Sequence, residues 1–407
     1  MKKPELLAPA GDLEKLKIAL LYGADAVFIG GKQFSLRARA SNFDMPVIAE
    51  GCRFAKSLGK KVFVTVNILP KEDDLEGLVP YLQALEKSGV DAIIVASTAV
   101  LLAARNHTHL EVHLSTQQSV TNGTSVNFWG KAGYARVVLA RELTLEEIAK
   151  VRGVTDTELE VFIHGGMCVS YSGKCTLSNT MTDRDANRGG CAHSCRWDYR
   201  LSEEGRSIGP DDTPFAMSSK DLQSLQHIEK LMRIGVDALK IEGRMKSIHY
   251  IATVVSTYRH LIDAYHAGRR VDLPAYVIEL AKAENRLTSD GFLGGMTRPE
   301  SQLYNMRSEQ PSQAFAGIVR AYDVKNHTAL VEQRNLFTTG DSLEVLSPQG
   351  VKAPFVVGDM FDEEGFKVTV ARHPKQRLIF TVPYPLEPYD LLRRTNHADS
   401  VVTHDKT

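Results

Sequence analysis

The chain has 407 residues, with 49 Lys and Arg against 49 Asp and Glu, 43% hydrophobic and 24% charged residues. That composition belongs to a folded protein of two or three domains and excludes a disordered or fibrous chain. The zero net charge excludes a polybasic nucleic-acid coat and an acidic tail, but not a local basic groove, because a sum hides its distribution.

Met1-Lys2-Lys3 is followed at once by Pro4 and Glu5, so no apolar signal core forms. No run of about 18 apolar residues predicts a membrane span, and a cytoplasmic location is expected. Eight short apolar runs then recur: Glu5–Gly11, Ala24–Gly30, Lys61–Asn67, Val90–Ser97, Glu111–Gln117, Ala135–Glu142, Leu159–Gly165 and Val236–Gly243. Each reads as a strand buried on both faces, as in a parallel sheet. Helical patterns lie between them, such as Asp12–Tyr22, Asp74–Ser88 and Leu145–Val151. Asp12 is placed to cap the first, and Gly23, Gly89 and Gly133 to end helices before the next strand. Eight such units predict an α/β fold, a (β/α)8 TIM-type barrel over residues 1–270. A doubly wound open sheet is the rival, but no G-x-G-x-x-G follows the first strand.

The seventh unit is interrupted by an insertion, residues 166–220, that leaves the catalytic face of a barrel. Residues 271–312 read as a linker with a short helix, Ala275–Ala283. From 313 to 396 short strands and turns predict a small closed β-barrel, and 397–407 a loose tail.

Four of the five cysteines fall in the insertion, spaced C-x6-C-x15-C-x3-C: Cys168, Cys175, Cys191 and Cys195. In a reducing compartment such a group is a metal or catalytic site before it is a disulfide framework. Four thiolates suit a four-iron four-sulfur (4Fe-4S) cluster or a zinc ion. Only Cys191 and Cys195 have a zinc-knuckle span, which favours iron–sulfur. Cys52 reads as a core residue.

Barrel geometry points strand-end residues into the mouth: Arg37, Arg39, Asn67, Ser97, Gln117, Glu142, His164 and the Lys240, Glu242, Arg244 group. Guanidinium and ammonium groups suit a carboxylate substrate. Arg37, Arg39, Gln117 and Arg244 are the candidate binding residues; His164, Glu242 and Lys240 are the candidate catalytic ones. Lys240, Glu242 and Arg244 would equally serve as an ion-pair network at the rim, with Glu5 as a partner.

The run His164-Gly-Gly-Met-Cys168-x-Ser170-x-Ser172-Gly-x-Cys175 resembles the signature of the collagenase-like peptidase family U-32. Glu5–Gly11, Phe34–Arg39 with Asn42-Phe43, His113–Gln117, Asn187-Arg188-Gly189 and Lys240–Lys246 resemble other motifs of that family, in order along nearly the whole chain. The resemblance is closest to its tRNA hydroxylation members, through Cys191-x3-Cys195-Arg-Trp197 and Ser219–Leu222 with Gln226–Glu229. It departs at Gln223, where some relatives carry a cluster cysteine; Cys195 keeps the number at four. The resemblance implies 5-hydroxyuridine formation at the tRNA wobble position, dependence on prephenate, and an iron–sulfur cluster. Prephenate carries two carboxylates, which agrees with the basic residue types above. It also implies tRNA as partner, and a homo-oligomer or a hetero-oligomer with a family paralogue.

Two other readings remain. A peptidase would use Cys168 as nucleophile and His164 as base, but a thiolate bound to a cluster is not free to attack, and neither H-E-x-x-H nor G-x-S-x-G occurs. A zinc-stapled RNA-binding protein without catalysis is the other. Arg184, Arg188, Arg196 and Arg200, with Arg244, Lys246, Arg259, Arg269 and Arg270, form the basic density available to RNA. Trp197 is expected to be packed inside.

Overall fold

The computed structural model describes residues 1–36, 42–208, 215–283, 286–304 and 314–395. It contains two compact units: Met1–Leu280 with Asn285–Gln310, and Ala281–Glu284 with Pro311–Thr407.

In the first unit, β1 (Glu5–Pro9), β2 (Ala26–Gly30), β3 (Lys61–Val66), β4 (Ala92–Val95), β5 (Glu111–Leu114), β6 (Arg136–Val138) and β7 (Glu158–Gly165) lie side by side in chain order. The insertion adds β8 (Ser202–Glu203), β9 (Arg206–Ser207), β10 (Phe215–Ser219) and β11 (Asp221–Gln223). The next strand, β12 (Ala238–Ile241), pairs in parallel with both β7 and β1 and closes an eight-stranded parallel barrel. Every apolar run predicted as a strand is one. Helices α1 (Leu13–Leu21), α2 (Met45–Ser57), α3 (Leu78–Lys87), α4 (Thr98–His107), α5 (Gly123–Ala132) and α6 (Leu145–Arg152) alternate with them. A short α7 (Leu177–Thr182) belongs to the insertion, and α8 (Ile228–Ile234) and α9 (Ile248–His266) flank β12.

Local chemistry fixes the boundaries. The Asp12 carboxylate accepts from the Lys15 amide at 2.9 Å and caps α1. Gly133 ends α5 at φ +111°, where a side chain would be strained. Cys52 is a core residue of α2, and burial pushes its thiol up to about 12.

Leu7, Ala26, Phe28, Phe63, Ala92 and Ile94 pack together as one cluster of the core. Beside them, Arg136 at the start of β6 contacts Glu5 at 2.6 Å, Glu158 at 2.9 Å and Glu160 at 3.3 Å. Glu160, fully buried, also holds Lys240 at 2.7 Å. Glu5 thus pairs chiefly with Arg136 rather than with a rim cation.

The stretch read as a linker differs from expectation. Its helix is Leu273–Ala281, but Thr288–Ser289 pairs in parallel with β11, and Gln302–Tyr304 pairs antiparallel with β10. Leu293 and Leu303 are buried. The segment is mostly polar because it binds through its backbone to strand edges left open by the insertion, a role that leaves no apolar periodicity.

In the second unit, Phe315–Asp323, Thr328–Gln333, Ser342–Ser347, Gly350–Val356 and Arg377–Thr381 join an eight-stranded antiparallel sheet. Its two outer strands, Gly350–Val356 and Lys367–Val368, are not paired with each other among the described residues, and the unit is the separate antiparallel all-β domain expected. Phe337, Met360 and Phe380 sit in its core. Leu391–Arg394 pairs on both sides, with Ser342–Ser347 and Phe315–Asp323, and its buried Arg393 meets Glu344 at 2.8 Å. The tail 397–407 lies outside the described residues.

Candidate active site at the mouth of the barrel

The strand ends enclose a cavity of about 140 Å³. Asn67, Gln117, Arg141, Glu142, Lys240, Glu242 and Arg244 line it, with Phe28 and Phe162 as apolar walls. Six of the strand-end candidates named from sequence therefore meet here: Asn67, Gln117, Glu142, Lys240, Glu242 and Arg244. Arg37 and Arg39 lie outside the described residues. Ser97 caps α4 instead, accepting from the Ala99 amide at 3.3 Å.

His164 does not line the cavity. Simple alternation along β7 would place Glu160, Phe162 and His164 on one face. The pairing with β12 slips after Phe162: Lys240 faces Phe162, but Ile241 faces His164. That bulge re-aims His164 toward α9. Its Nδ1 lies 3.4 Å from the Tyr258 hydroxyl, and the Tyr250 and Tyr258 rings pack against it. The freed Ile163 carbonyl accepts from Ser224 Oγ at 2.6 Å and from Tyr258 at 3.1 Å. Burial, aided by the nearby Lys246 charge, pushes the imidazole down to about 3. His164 is a neutral packing group near pH 7.

Lys240 reaches the cavity, but its ammonium is bound by Glu160 and sits 4.7 Å from the Phe28 ring centroid. Burial favours the protonated Glu160, yet Lys240 and Arg136 together outweigh it and hold the carboxyl below its ordinary range. The Lys240 charge is thus spent inside the protein. The Arg244 guanidinium donates to Ser35 Oγ at 3.3 Å and Asn42 Oδ1 at 2.6 Å. Arg141, which sequence reasoning did not single out, donates to the Gly166 carbonyl at 2.7 Å and stacks on Phe162 at 3.8 Å. Among the described residues its buried Nε has no partner. Gln117 Oε1 accepts from Asn67 at 2.9 Å and Ser115 at 3.0 Å, and among the described residues its buried Nε2 has none. An orphaned buried donor costs free energy, so these two atoms suit an acceptor-rich ligand. The sequence signal for Arg141 was only its place one residue before Glu142 at a strand end.

The insertion covers this cavity. Gly165, at φ +104°, turns the chain where a Cβ would run into the Glu242 carbonyl. The Ser172 amide donates to Glu142 at 2.8 Å, and the Ser172 hydroxyl is held by the same carboxylate. Ser119 Oγ donates to the Tyr171 carbonyl at 3.0 Å. Asn187 holds Cys175 through both backbone groups, at 3.1 and 3.3 Å. Arg188 forms a two-pronged pair with Asp74 at 2.6 and 2.8 Å, so it docks the insertion rather than offering charge to RNA. Arg259 is likewise occupied, by Asp25 and Asp263. Trp197 is 42% exposed, contrary to expectation.

Cys168 lines the cavity. Burial pushes the Cys195 thiol up; Arg196 opposes this, while Cys168, Cys191 and Cys175 each add to it. Cys168, Cys175 and Cys191 therefore each lie within electrostatic reach of Cys195, and all four are unbridged. Among the described residues, no group of three or more His, Cys, Asp or Glu has the spacing of a formed metal site. The donor set has the chemistry of four-thiolate ligation.

The family model "Peptidase family U32" matches residues 11–303, and "Peptidase family U32 C-terminal domain" matches 311–393. The chain belongs to peptidase family U32. Among U32 relatives, "tRNA hydroxylation protein P1" of Bacillus subtilis (strain 168) is 46% identical over 97% of this chain and 95% of its own. "23S rRNA 5-hydroxycytidine C2501 synthase" of Escherichia coli (strain K12) is 39% identical over 87% of this chain and 52% of its own. "Collagenase" of Porphyromonas gingivalis (strain ATCC BAA-308 / W83) is 35% identical over 72% of this chain and 73% of its own. The U32 match ending at residue 303 includes the segment that completes the first unit.

Proposed function

We propose that this U32 protein is a tRNA-modifying enzyme that forms 5-hydroxyuridine at the wobble position, dependent on prephenate and on an iron–sulfur cluster held by Cys168, Cys175, Cys191 and Cys195. The observation that carries the reading is the cysteine insertion folded over a cavity lined by Arg141, Arg244 and Gln117. Replacing C5–H by C5–OH is a two-electron oxidation that requires an external oxidant and an oxygen donor, and an iron–sulfur cluster held by the four cysteines would supply electron transfer to that oxidant. The chain's own residues do the rest. Arg141 and Arg244 attract a dicarboxylate, Gln117 Nε2 donates to it, and Phe28 and Phe162 exclude water. Names of relatives that act on tRNA and rRNA support the RNA substrate.

A Cys168–His164 peptidase is disfavoured by His164 itself, which the bulge turns to Tyr258 and away from the cavity that Cys168 lines. The test is a gene deletion, in a strain without a paralogue, with tRNA nucleosides measured by mass spectrometry. 5-Hydroxyuridine derivatives should disappear and return with the wild-type gene; unchanged levels would refute the reading. Anaerobically purified protein should carry iron and broad visible absorbance. Zinc alone would favour the stapled RNA-binding protein.

A further inference from the structure

A second cavity, of about 330 Å³, adjoins the first at the barrel mouth. Glu142, Met167, Cys168 and Ser170 line both, so the cysteine insertion forms the partition between an inner and an outer chamber. Their chemistries differ. The inner one has Lys240, Arg141 and Arg244. Among the described residues no Lys or Arg lines the outer one. Its walls offer neutral hydrogen-bonding groups, Ser219, Ser289, Thr297 and Gln302, together with the Tyr171 and Phe292 rings.

The outer wall is firmly built. Ser219 of β10 is the register partner of Gln302, and the Lys220 amide donates to the Ser301 carbonyl at 2.8 Å. The Gly291 amide lies 3.4 Å from Ser289 Oγ. Tyr171 is 60% exposed on the rim, although its carbonyl is fixed by Ser119. A phosphate or carboxylate finds no cation there. A planar uncharged heterocycle finds ring faces to stack on and side-chain amide and hydroxyl groups for its edge. Chemistry on a base requires that the base leave its stack and enter such a pocket.

We propose that the outer chamber seats one extruded pyrimidine base of the RNA, while the inner chamber holds the anionic small molecule, with Cys168 between them. The assignment rests on the RNA-modifying reading above and adds the place where the base sits. Gln302 and Phe292 are then specificity-determining residues supplied by the segment after α9.

Photo-crosslinking tests the placement without relying on turnover. The probe is an anticodon stem-loop carrying 5-bromouridine at the wobble position, bound to the full-length protein and mapped by mass spectrometry. Adducts on Tyr171, on Phe292, or on Met217, which also lines the outer chamber, are expected. Adducts confined to Phe28 or Phe162, or none on the outer wall while the RNA is bound, would overturn the placement alone. Failure of the RNA to bind would sink the RNA reading and the placement together. In parallel, Gln302→Leu should lower kcat/KM for tRNA at least tenfold, with the tRNA Kd changed less than threefold. Phe292→Tyr should retain activity where Phe292→Ala loses it. An unchanged kcat/KM in both Gln302→Leu and Phe292→Ala would also overturn the placement.

Discussion

Lys240→Met separates the structural from the catalytic reading of Lys240. Glu160 is fully buried and holds Lys240 at 2.7 Å and Arg136 at 3.3 Å. Removing Lys240 leaves the carboxylate with Arg136 alone, which is shared with Glu5 and Glu158. Breaking a buried pair on one side costs about 3–5 kcal/mol, whereas replacing both partners with apolar groups is close to neutral. Lys240→Met should therefore lose about 3–5 kcal/mol, and Lys240→Met/Glu160→Leu should recover most of it. The single variant's deficit should also shrink as pH falls. Folded Glu160 without Lys240 binds a proton more readily than it does with Lys240, so protonation relieves the variant more than wild type on the acid side. Urea unfolding followed by tryptophan fluorescence reports the first unit specifically, because both tryptophans, Trp129 and Trp197, lie in it. A single variant within about 1 kcal/mol of wild type, or a double variant no more stable than the single, would refute the pair. Nucleoside analysis of the double variant then decides whether Lys240 has any chemical role.

Three further outcomes are expected. Burial holds the His164 imidazole down to about 3. Lowering pH from 7.5 to 5 charges it only in the unfolded chain, so wild type should lose about 2 kcal/mol through this group; His164→Phe should lack that component in urea titrations at the two pH values, and equal acid sensitivity would contradict it. A Cβ at Gly30 would collide with the Arg244 guanidinium, so Gly30→Ala should weaken prephenate binding about tenfold or more by calorimetry, the effect of displacing one charged hydrogen-bond donor. Iron should be lost on anaerobic purification of Cys175→Ser and kept in Cys52→Ser, because Cys52 is buried in α2; equal iron in both would remove Cys175 from the ligand set.

The barrel strands were legible because a strand buried on both faces must be almost continuously apolar, as Val62–Val64 and Ala92–Val95 are. The four cysteines were legible as a candidate ligand set, because donor type and spacing are properties of the sequence itself. The segment after α9 was not. Thr288–Ser289 and Gln302–Tyr304 attach by backbone hydrogen bonding to edges created elsewhere in the chain, and a backbone donor carries no residue label.

Residue type and periodicity alone thus determined the fold class, the insertion at the barrel mouth and the gathering of cations at the strand ends. Only the tertiary structure decided which of those groups face the cavity. One slipped register in β7 turns His164 outward, because the face a strand residue occupies depends on pairing with a partner strand far away in sequence. Similarly, Lys240 lost its free charge to Glu160, while Arg141 and Gln117 kept unsatisfied donors. Whether a cation serves a substrate or the protein depends on which acid lies beside it, and that is set by packing.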